Sequence, residues 1–239
     1  MLLEKLKKEL IVNEFDVLTM LDELLEKRDN EWWDKFYSNR DKPIPFFVNV
    51  PDENLVSLVE SGKLKTGRVL DVGCGNGRNS VYLAQKGFCV DGIDFSTSSI
   101  EWARELASKE NVKINFINGS FFDLNFEKDT YDFIYDGGCL HHIKPHRRDQ
   151  YLRKISTFLK KDGYFGLTCF NLKGGANISD YDVYRDFSMK GGLGFSEDKL
   201  KAVLEQNFTI CEIREMKEIT DGSLFGKEFL WTVLMKKKY

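Results

Sequence analysis

From Arg68 onward the chain alternates short apolar runs with amphipathic stretches, and glycine marks most of the boundaries. Val69, Leu70 and Val72 form the kind of run that a strand buried on both faces requires. The run enters Gly73-Cys74-Gly75-Asn76-Gly77, after which Val81, Leu83 and Ala84 take helical spacing. The pattern predicts a strand over 68–72, a helix over 77–86 ended by Gly87, and a strand over 88–93. A helix from Ser96 or Thr97 to Ser108 follows, then strands over 113–118 and 131–136. A helix from about His146 to Leu159 and a turn at Lys161-Asp162-Gly163 lead into a strand over 164–170. Ser196-Glu197-Asp198-Lys199 starts a helix over 197–206, and 207–216 with 228–236 read as two strands joined through Asp221-Gly222. Strand and helix in alternation define an α/β protein with a doubly wound sheet of seven strands, mostly parallel, closed by an antiparallel C-terminal hairpin.

The N-terminal third reads differently. Leu3, Leu6, Leu10, Val17, Leu21, Leu24 and Leu25 lie at helical spacing, and the polar break at Asn13-Glu14 divides them into two short helices. Such a stripe packs on the main domain, packs on a second copy to make a homodimer, or closes as a lid; packing is favoured, because an apolar helical stripe is most often core. Residues 30–51 carry Pro43, Pro45 and Pro51 and so predict an irregular segment with extended pieces. Trp32, Trp33, Phe36, Tyr37, Phe46 and Phe47 make it either a hydrophobic strap or one wall of a ligand pocket. Asp52 reads as the N-cap of a helix from Glu53 to Ser61 closed by Gly62. The expected division is therefore 1–51, an N-terminal helical extension with an aromatic strap or lid, and 52–239, the main domain. The Gly-rich stretch 172–195 is long for a compact domain and reads as a functional loop.

Composition narrows the partners. A net charge of −3 in 239 residues gives no general attraction to nucleic acid or to an anionic membrane. The basic group Lys144, His146, Arg147 and Arg148 reads as a solvated helix start. Five scattered cysteines without a CxxC pair argue against a disulfide framework and against a metal cluster. A charged N-terminus, and no run of the ~20 apolar residues that a membrane span needs, predict a soluble, cytoplasmic protein.

The candidate chemistry gathers at the ends of the first three strands. A strand, a glycine turn and a helix N-terminus in that order bring backbone close to a ligand. The spacing is G-x-G-x-G, with Arg78 where a dinucleotide fingerprint needs its third glycine and Asp71 two residues before the first. Asp94, nineteen residues after Gly75, stands where an acid accepts from ribose hydroxyls. Gly119-Ser120-Phe121-Phe122-Asp123 offers a carboxylate for an exocyclic amine and a ring for a base. Together they describe an adenosine ligand across strands 1 to 3.

VLDVGCGNGRNSVYLA, VDGIDFS, NGSFFDL, YDFIYDGGCLHHI and LKKDGYFGLTCFN resemble, in order, five motifs of the class I S-adenosylmethionine-dependent methyltransferases. The resemblance covers about Trp32 to the C-terminus and implies a Rossmann-like fold. WWDKFY and the aromatic-proline residues after it are similar to the thiopurine and tellurite-resistance group of small-molecule methyltransferases. The resemblance implies that Asp71, Gly73, Cys74, Gly75, Asn76 and Gly77 hold the methionine part of the cofactor. Asp94 would bind the ribose, with Phe95 and Ser96 beside the adenine, and Asp123 would accept from adenine N6 with Phe122 and Ser120 next to it. Asp136 and Gly137 would lie near the sulfonium, under Trp33 and Tyr37. His141 and His142 are the candidate general bases, although a His in this place is more often structural.

The implied reaction is in-line methyl transfer to an O, N or S nucleophile, leaving S-adenosylhomocysteine and needing no metal. The chain lacks the Asn-Pro-Pro-aromatic and Pro-Cys signatures of DNA-modifying enzymes, so a small-molecule acceptor is expected near the ends of strands 4 and 5. Two alternatives remain: an S-adenosylmethionine-binding or partner-binding protein without turnover, and an NAD-dependent oxidoreductase, which Arg78 disfavours.

Overall fold

The computed structural model describes residues 10–25 and 28–238. Helix α1 (Glu14–Leu24) begins at Asn13, whose side chain forms a reciprocal capping box with Asp16. The predicted helix through Leu3 and Leu6 lies outside the described residues. Helices α2 (Asn30–Ser38) and α3 (Glu53–Glu60) precede the sheet. The core then runs β1 (Arg68–Val72), α4 (Arg78–Gln85), β2 (Cys89–Asp94), α5 (Thr97–Lys109), β3 (Asn115–Asn118) and β4 (Tyr131–Gly137). Next come α6 (Arg148–Phe158), β5 (Leu159–Phe170), α7 (Asp180–Arg185), α8 (Glu197–Leu204), β6 (Phe208–Glu215) and β7 (Leu230–Lys237).

Seven strands form one sheet in the order β3-β2-β1-β4-β5-β7-β6. The first five are parallel, and β7 runs antiparallel between β5 and β6. Alternate residues feed two cores: Leu70, Ile134, Phe165 and Leu167 pack with Tyr151, Ile155 and Phe158 of α6 on one face. Val69, Phe133 and Tyr135 pack with Leu55, Leu83 and Phe88 on the other. Period-two alternation with both faces apolar makes β1 read as a continuous hydrophobic run.

Several expectations need correction. Residues 30–38 form a helix rather than an irregular segment, because Asp29 caps it through the Trp32 amide and all the prolines lie beyond Ser38. Strand β5 begins at Leu159 rather than 164: Leu159 pairs with Tyr131, and an irregularity between Tyr131 and Phe133 absorbs the predicted turn. The basic helix opens with a short 3-10 turn at Pro145–Arg147, Pro145 having no amide for the first helical turn to satisfy. Asp52 stands at the N-cap of α3 but makes no side-chain cap bond. The Gly-rich stretch holds α7, capped by Ser179 and Asp182, and bridges Asn171 to Phe195 and Ala176 to Leu193.

The basic group is not a solvated face. Lys144, His146 and Arg147 all hold Asp22 of α1, and Arg148 is buried against Asp180. Burial pushes the Asp22 carboxyl up, but hydrogen bonds from His146 and Arg147 and the charge of Lys144 outweigh it and hold the group well below the carboxylate range.

Candidate functional site

The sheet reverses its winding between β1 and β4, and a cleft at the carboxyl ends of strands is expected at such a switch point. The loop after β1 forms one wall. Gly73, Gly75 and Gly77 have φ of +67°, +54° and +80°, the left-handed region where a Cβ is costly. A Cβ on Gly77 would also stand 2.8 Å from Ala103 of α5, and one on Gly75 2.9 Å from the Tyr37 hydroxyl. The loop is therefore clasped between α5 and α2, and its backbone is the wall.

Asp94 braces that loop. Its carboxylate accepts from the Gly75 and Ser96 amides, both at 2.9 Å, and burial raises its pKa despite those bonds. Asp71 lies in the cleft wall and accepts a 2.6 Å bond from Ser80. Burial pushes it up to about 7, with the Ser80 bond opposing and the nearby Asp52 charge adding.

A cavity of about 100 Å³ opens beside the loop. Trp33, Tyr37, Phe46, Phe170, Phe225 and Phe229 supply its aromatic lining, and Asp71, Asn76, Arg78, Asn79, His141, His142 and Thr168 its polar groups. Below it lies a buried network: the Tyr135 hydroxyl and Asn79 amide donate to Asp52 Oδ2 at 2.6 and 3.0 Å, and Arg78 Nη1 stands 2.6 Å from Oδ1. Asn76 donates to the Val48 carbonyl and Arg78 to that of Val50, so the 46–50 strap is sewn to the glycine loop.

The two histidines differ. His141 is buried, stacks on Phe170 at 3.7 Å, and its Nδ1 accepts from the Phe170 amide at 3.3 Å. Burial holds it well below the usual histidine pKa. His142 faces Trp33 edge-on at 5.1 Å; burial and then the Arg28 charge push it down to about 3, against a hydrogen bond to the Gly191 carbonyl. Both rings are neutral at pH 7.

The residues singled out from the sequence fall into three groups. Asp71, Gly73, Cys74, Gly75, Asn76, Gly137, His141, His142, Trp33 and Tyr37 meet at the cavity. Asp94 and Gly77 lie next to it: Asp94 braces the loop, and Gly77 forms the left-handed N-cap of α4. Phe95 is 39% exposed beyond β2, Asp123 is exposed, and Ser120 and Phe122 are partly buried beyond β3, away from the cavity. Two side chains are already engaged. The Ser96 hydroxyl caps α5 and donates to Asp34, and the Asp136 carboxylate accepts from the amides of Gly138, Cys139 and Leu140 and from the Tyr151 hydroxyl. Asp136 thus shapes the turn after β4 from behind.

Sequence reasoning missed Arg78, Asp52, Asn79, Phe225 and Phe229. Arg78 carried a usable signal, a charged residue directly after a glycine loop; the aromatic pair sits at the end of the C-terminal hairpin, where nothing local marks it. Among the described residues no group of three His, Cys, Asp or Glu side chains gathers as metal ligands, and no helix is long and apolar enough to cross a membrane.

Comparison with known proteins agrees with this fold. Residues 69–163 match the model of a methyltransferase domain. The methyltransferase C1348.04 of Schizosaccharomyces pombe, itself described as uncharacterized, is 32% identical over 134 residues, 56% of this chain and 92% of that one. The protein solved in a study of the conversion of a disulfide bond into a thioacetal group during echinomycin biosynthesis superposes with a TM-score of 0.71 at 22% identity, over 87% of this chain and 91% of that one. A 1,6-didemethyltoxoflavin-N1-methyltransferase from Burkholderia thailandensis, solved with 1,6-didemethyltoxoflavin and S-adenosylhomocysteine, gives 0.64 at 20% identity over 96% and 92%. The chain belongs to the class I S-adenosylmethionine-dependent methyltransferases. Its cofactor is S-adenosylmethionine, and three left-handed glycines, a bracing acid after β2 and a second acid in the cleft wall suit it.

Proposed function

We propose that this enzyme methylates a small aromatic or heterocyclic molecule at an O, N or S atom. The observation that carries this is the make-up of the cavity: a glycine-loop wall faces Trp33, Phe46, Phe170, Phe225 and Phe229, which form a slot for a flat, apolar acceptor. The heterocyclic ligand of the Burkholderia structure supports the same acceptor class. When bound, the cofactor supplies an activated methyl group on a sulfonium, so alignment is the protein's main task. In this reading Asp71 and the loop from Gly73 to Gly77 hold the methionyl part, Asp94 the ribose, and Phe95, Ser120, Phe122 and Asp123 the adenine side. Ser96 and Asp136 act through the helix and turn they cap, and Gly137 leaves room beside the cavity.

His142 is the candidate that touches the acceptor. With its pKa near 3 it is too weak a base to remove the proton of a phenol, but as a neutral ring it can orient an acceptor N–H or O–H. His141 already holds the Phe170 amide and sets the slot's floor.

Residues 30–51 are the cover. Helix α2 is latched where Asp34 accepts from the Ser96 hydroxyl and the Ser98 amide, at 2.7 and 3.0 Å. Cofactor and acceptor together need more than the present cavity of about 100 Å³, since ligand pockets run to roughly 300–1,000 Å³, and α2, which brings Trp33 and Tyr37 to the lining, is the element whose opening would admit them. The outward face of α1, with Phe15, Met20 and Leu24 exposed, suits contact with a second copy. Free cysteines suit a reducing cytoplasm.

The test is calorimetric binding of S-adenosylhomocysteine followed by turnover of methyl-labelled cofactor over a panel of aromatic metabolites. Binding with transfer to a panel member is expected. Binding without any turnover favours the non-catalytic reading, and selective binding of NAD overturns the proposal.

A further inference from the structure

The Gly-rich stretch 172–195 contributes nothing to the cavity lining, yet it is fastened to the aromatic slot from behind. The Leu193 amide donates to the His141 carbonyl and the Phe195 amide to that of Phe170, both at 3.0 Å. Bridges from Asn171 to Phe195 and from Ala176 to Leu193 fold the stretch back on itself. The Ala176 amide donates to the Gly192 carbonyl at 2.9 Å, and Arg28 Nη1 donates to the Gly191 carbonyl at 2.7 Å. The backbone is therefore pinned on either side of Gly192.

A side chain at that position has little room. A Cβ on Gly192 would stand 3.0 Å from Phe170 Cε2 and 3.2 Å from Phe170 Cδ2 and His142 Cε1, so the rings would have to give way. Both rings line the cavity and Gly192 does not, which leaves the cavity as the direction of the shift. Phe170 packs on Phe229 at 6.1 Å and His142 on Trp33 at 5.1 Å between ring centres, so a displacement passes to further rings of the slot.

We propose that Gly192 is a specificity-determining residue for the acceptor: its missing side chain lets Phe170 and His142 sit back against the loop, and so sets the largest ring system that the slot admits. This rests on the reading of the aromatic slot as the acceptor site. The Gly-rich stretch then has a role without touching either ligand, because it is the back plate on which two of the slot's rings rest.

The test measures, by calorimetry, the binding of paired probes to the protein saturated with S-adenosylhomocysteine. The pairs are phenol and 2-naphthol, thiophenol and 2-naphthalenethiol, and imidazole and benzimidazole, one ring against two. The wild-type complex is expected to bind the two-ring member at least as tightly, since it buries more apolar area. Gly192→Ala is expected to weaken the two-ring members about tenfold and the one-ring members less than about twofold, with S-adenosylhomocysteine itself unaffected. In a Phe170→Ala background the nearest atoms are gone, and adding Gly192→Ala is expected to change the ratio of the two less than about twofold. Gly192 has φ of +154°, which disfavours any side chain, so Gly192→Ala is first checked for folding by circular dichroism. If it does not fold, Phe170→Trp gives the same reading: the larger ring has the Gly192 backbone behind it and extends into the slot, again at the expense of the two-ring probes.

A ratio unchanged in folded Gly192→Ala, or in Phe170→Trp, overturns the proposal. So does equal weakening of both ring sizes, which marks a structural role alone, and so does an undiminished effect of Gly192→Ala in the Phe170→Ala background. A wild-type complex that binds S-adenosylhomocysteine but none of the probes defeats the aromatic-acceptor reading itself, a different result from an unchanged ratio.

Discussion

On the β1–β3 side of the cleft the wall is backbone: three left-handed glycines within five residues, held in place by one acid, Asp94, through the Gly75 amide. On the β4–β7 side the wall is side chain, and Trp33, Phe46, Phe170, Phe225 and Phe229 reach it from opposite ends of the sequence. The first wall presents fixed amides and carboxylates, which suit a ligand that never changes. The second is apolar surface, whose shape changes with each substitution and so suits an acceptor that differs from enzyme to enzyme. The buried Asp52–Arg78 pair joins the two, touching the glycine loop on one side and Phe225 on the other.

That junction gives the largest expected effect. Asp52→Ala strands Arg78 as a buried, unpaired charge and removes the acceptor of Tyr135 and Asn79, so denaturant unfolding should show a loss of about 3–5 kcal/mol. A loss under about 1 kcal/mol would show that the walls stand independently.

Next comes the backbone wall. Asp94→Ala should raise the dissociation constant of S-adenosylhomocysteine about a hundredfold, the equivalent of two charge-assisted hydrogen bonds, with the acceptor KM unchanged. Unchanged affinity would displace the adenosine from this side.

Asp71 gives the same wall a pH signature. Its folded-state pKa of about 7 lies above its unfolded value of 3.8, so the folded protein binds more protons between those limits. The contribution of Asp71 to stability without ligand is therefore fully present below pH 3.8 and falls as pH rises towards 7, by at most about 1.4 kcal/mol per pH unit. Asp136, pushed up to about 6 by burial against its four hydrogen bonds, adds a slope of the same sign below pH 6. Asp71→Asn should remove the portion between pH 6 and 7, measured as melting temperature against pH; an unchanged slope there would assign it to other groups.

The side-chain wall should respond in the opposite sense to Asp94. Phe229→Ala is expected to raise the acceptor KM about tenfold and to leave S-adenosylhomocysteine binding alone, consistent with the loss of an aromatic contact. The smallest effect belongs to His142→Ala, about a fivefold fall in kcat, with no limb due to this ring between pH 5 and 8, because it is neutral throughout. A wild-type profile with a limb near pH 6.5 that the variant lacks would restore His142 as a titrating base.

The backbone wall was the legible one. Its residues are consecutive, or follow at the fixed spacing of a βαβ unit, so Asp71, Gly73, Gly75, Gly77 and Asp94 could be chosen from local pattern. Ser96 and Asp136 show the limit of that method: both have suitable residue types at suitable positions, but local backbone amides and a neighbouring helix claim their side chains. The aromatic density of residues 30–51 is legible locally, but the helix over 30–38 is not, because the prolines that suggest an irregular segment all lie beyond Ser38 and the Asp29 cap alone marks its start. The basic run Lys144 to Arg148 looked solvated because its partners, Asp22 and Asp180, are far away in sequence.

By itself the sequence determined the alternation of strand and helix, the parallel sheet with its antiparallel edge, and the left-handed glycine loop after β1. Those follow from local periodicity, glycine φ and fixed βα spacing, and short-range physics is enough to read them. Only the tertiary structure decided that Arg78 joins the cavity wall, that Asp52, just before α3, pairs with it instead of making a side-chain cap bond, and that Phe225 and Phe229 line the cavity. Each depends on which distant side chain supplies a partner once water has been excluded, and burial makes that choice only when the whole sheet has formed.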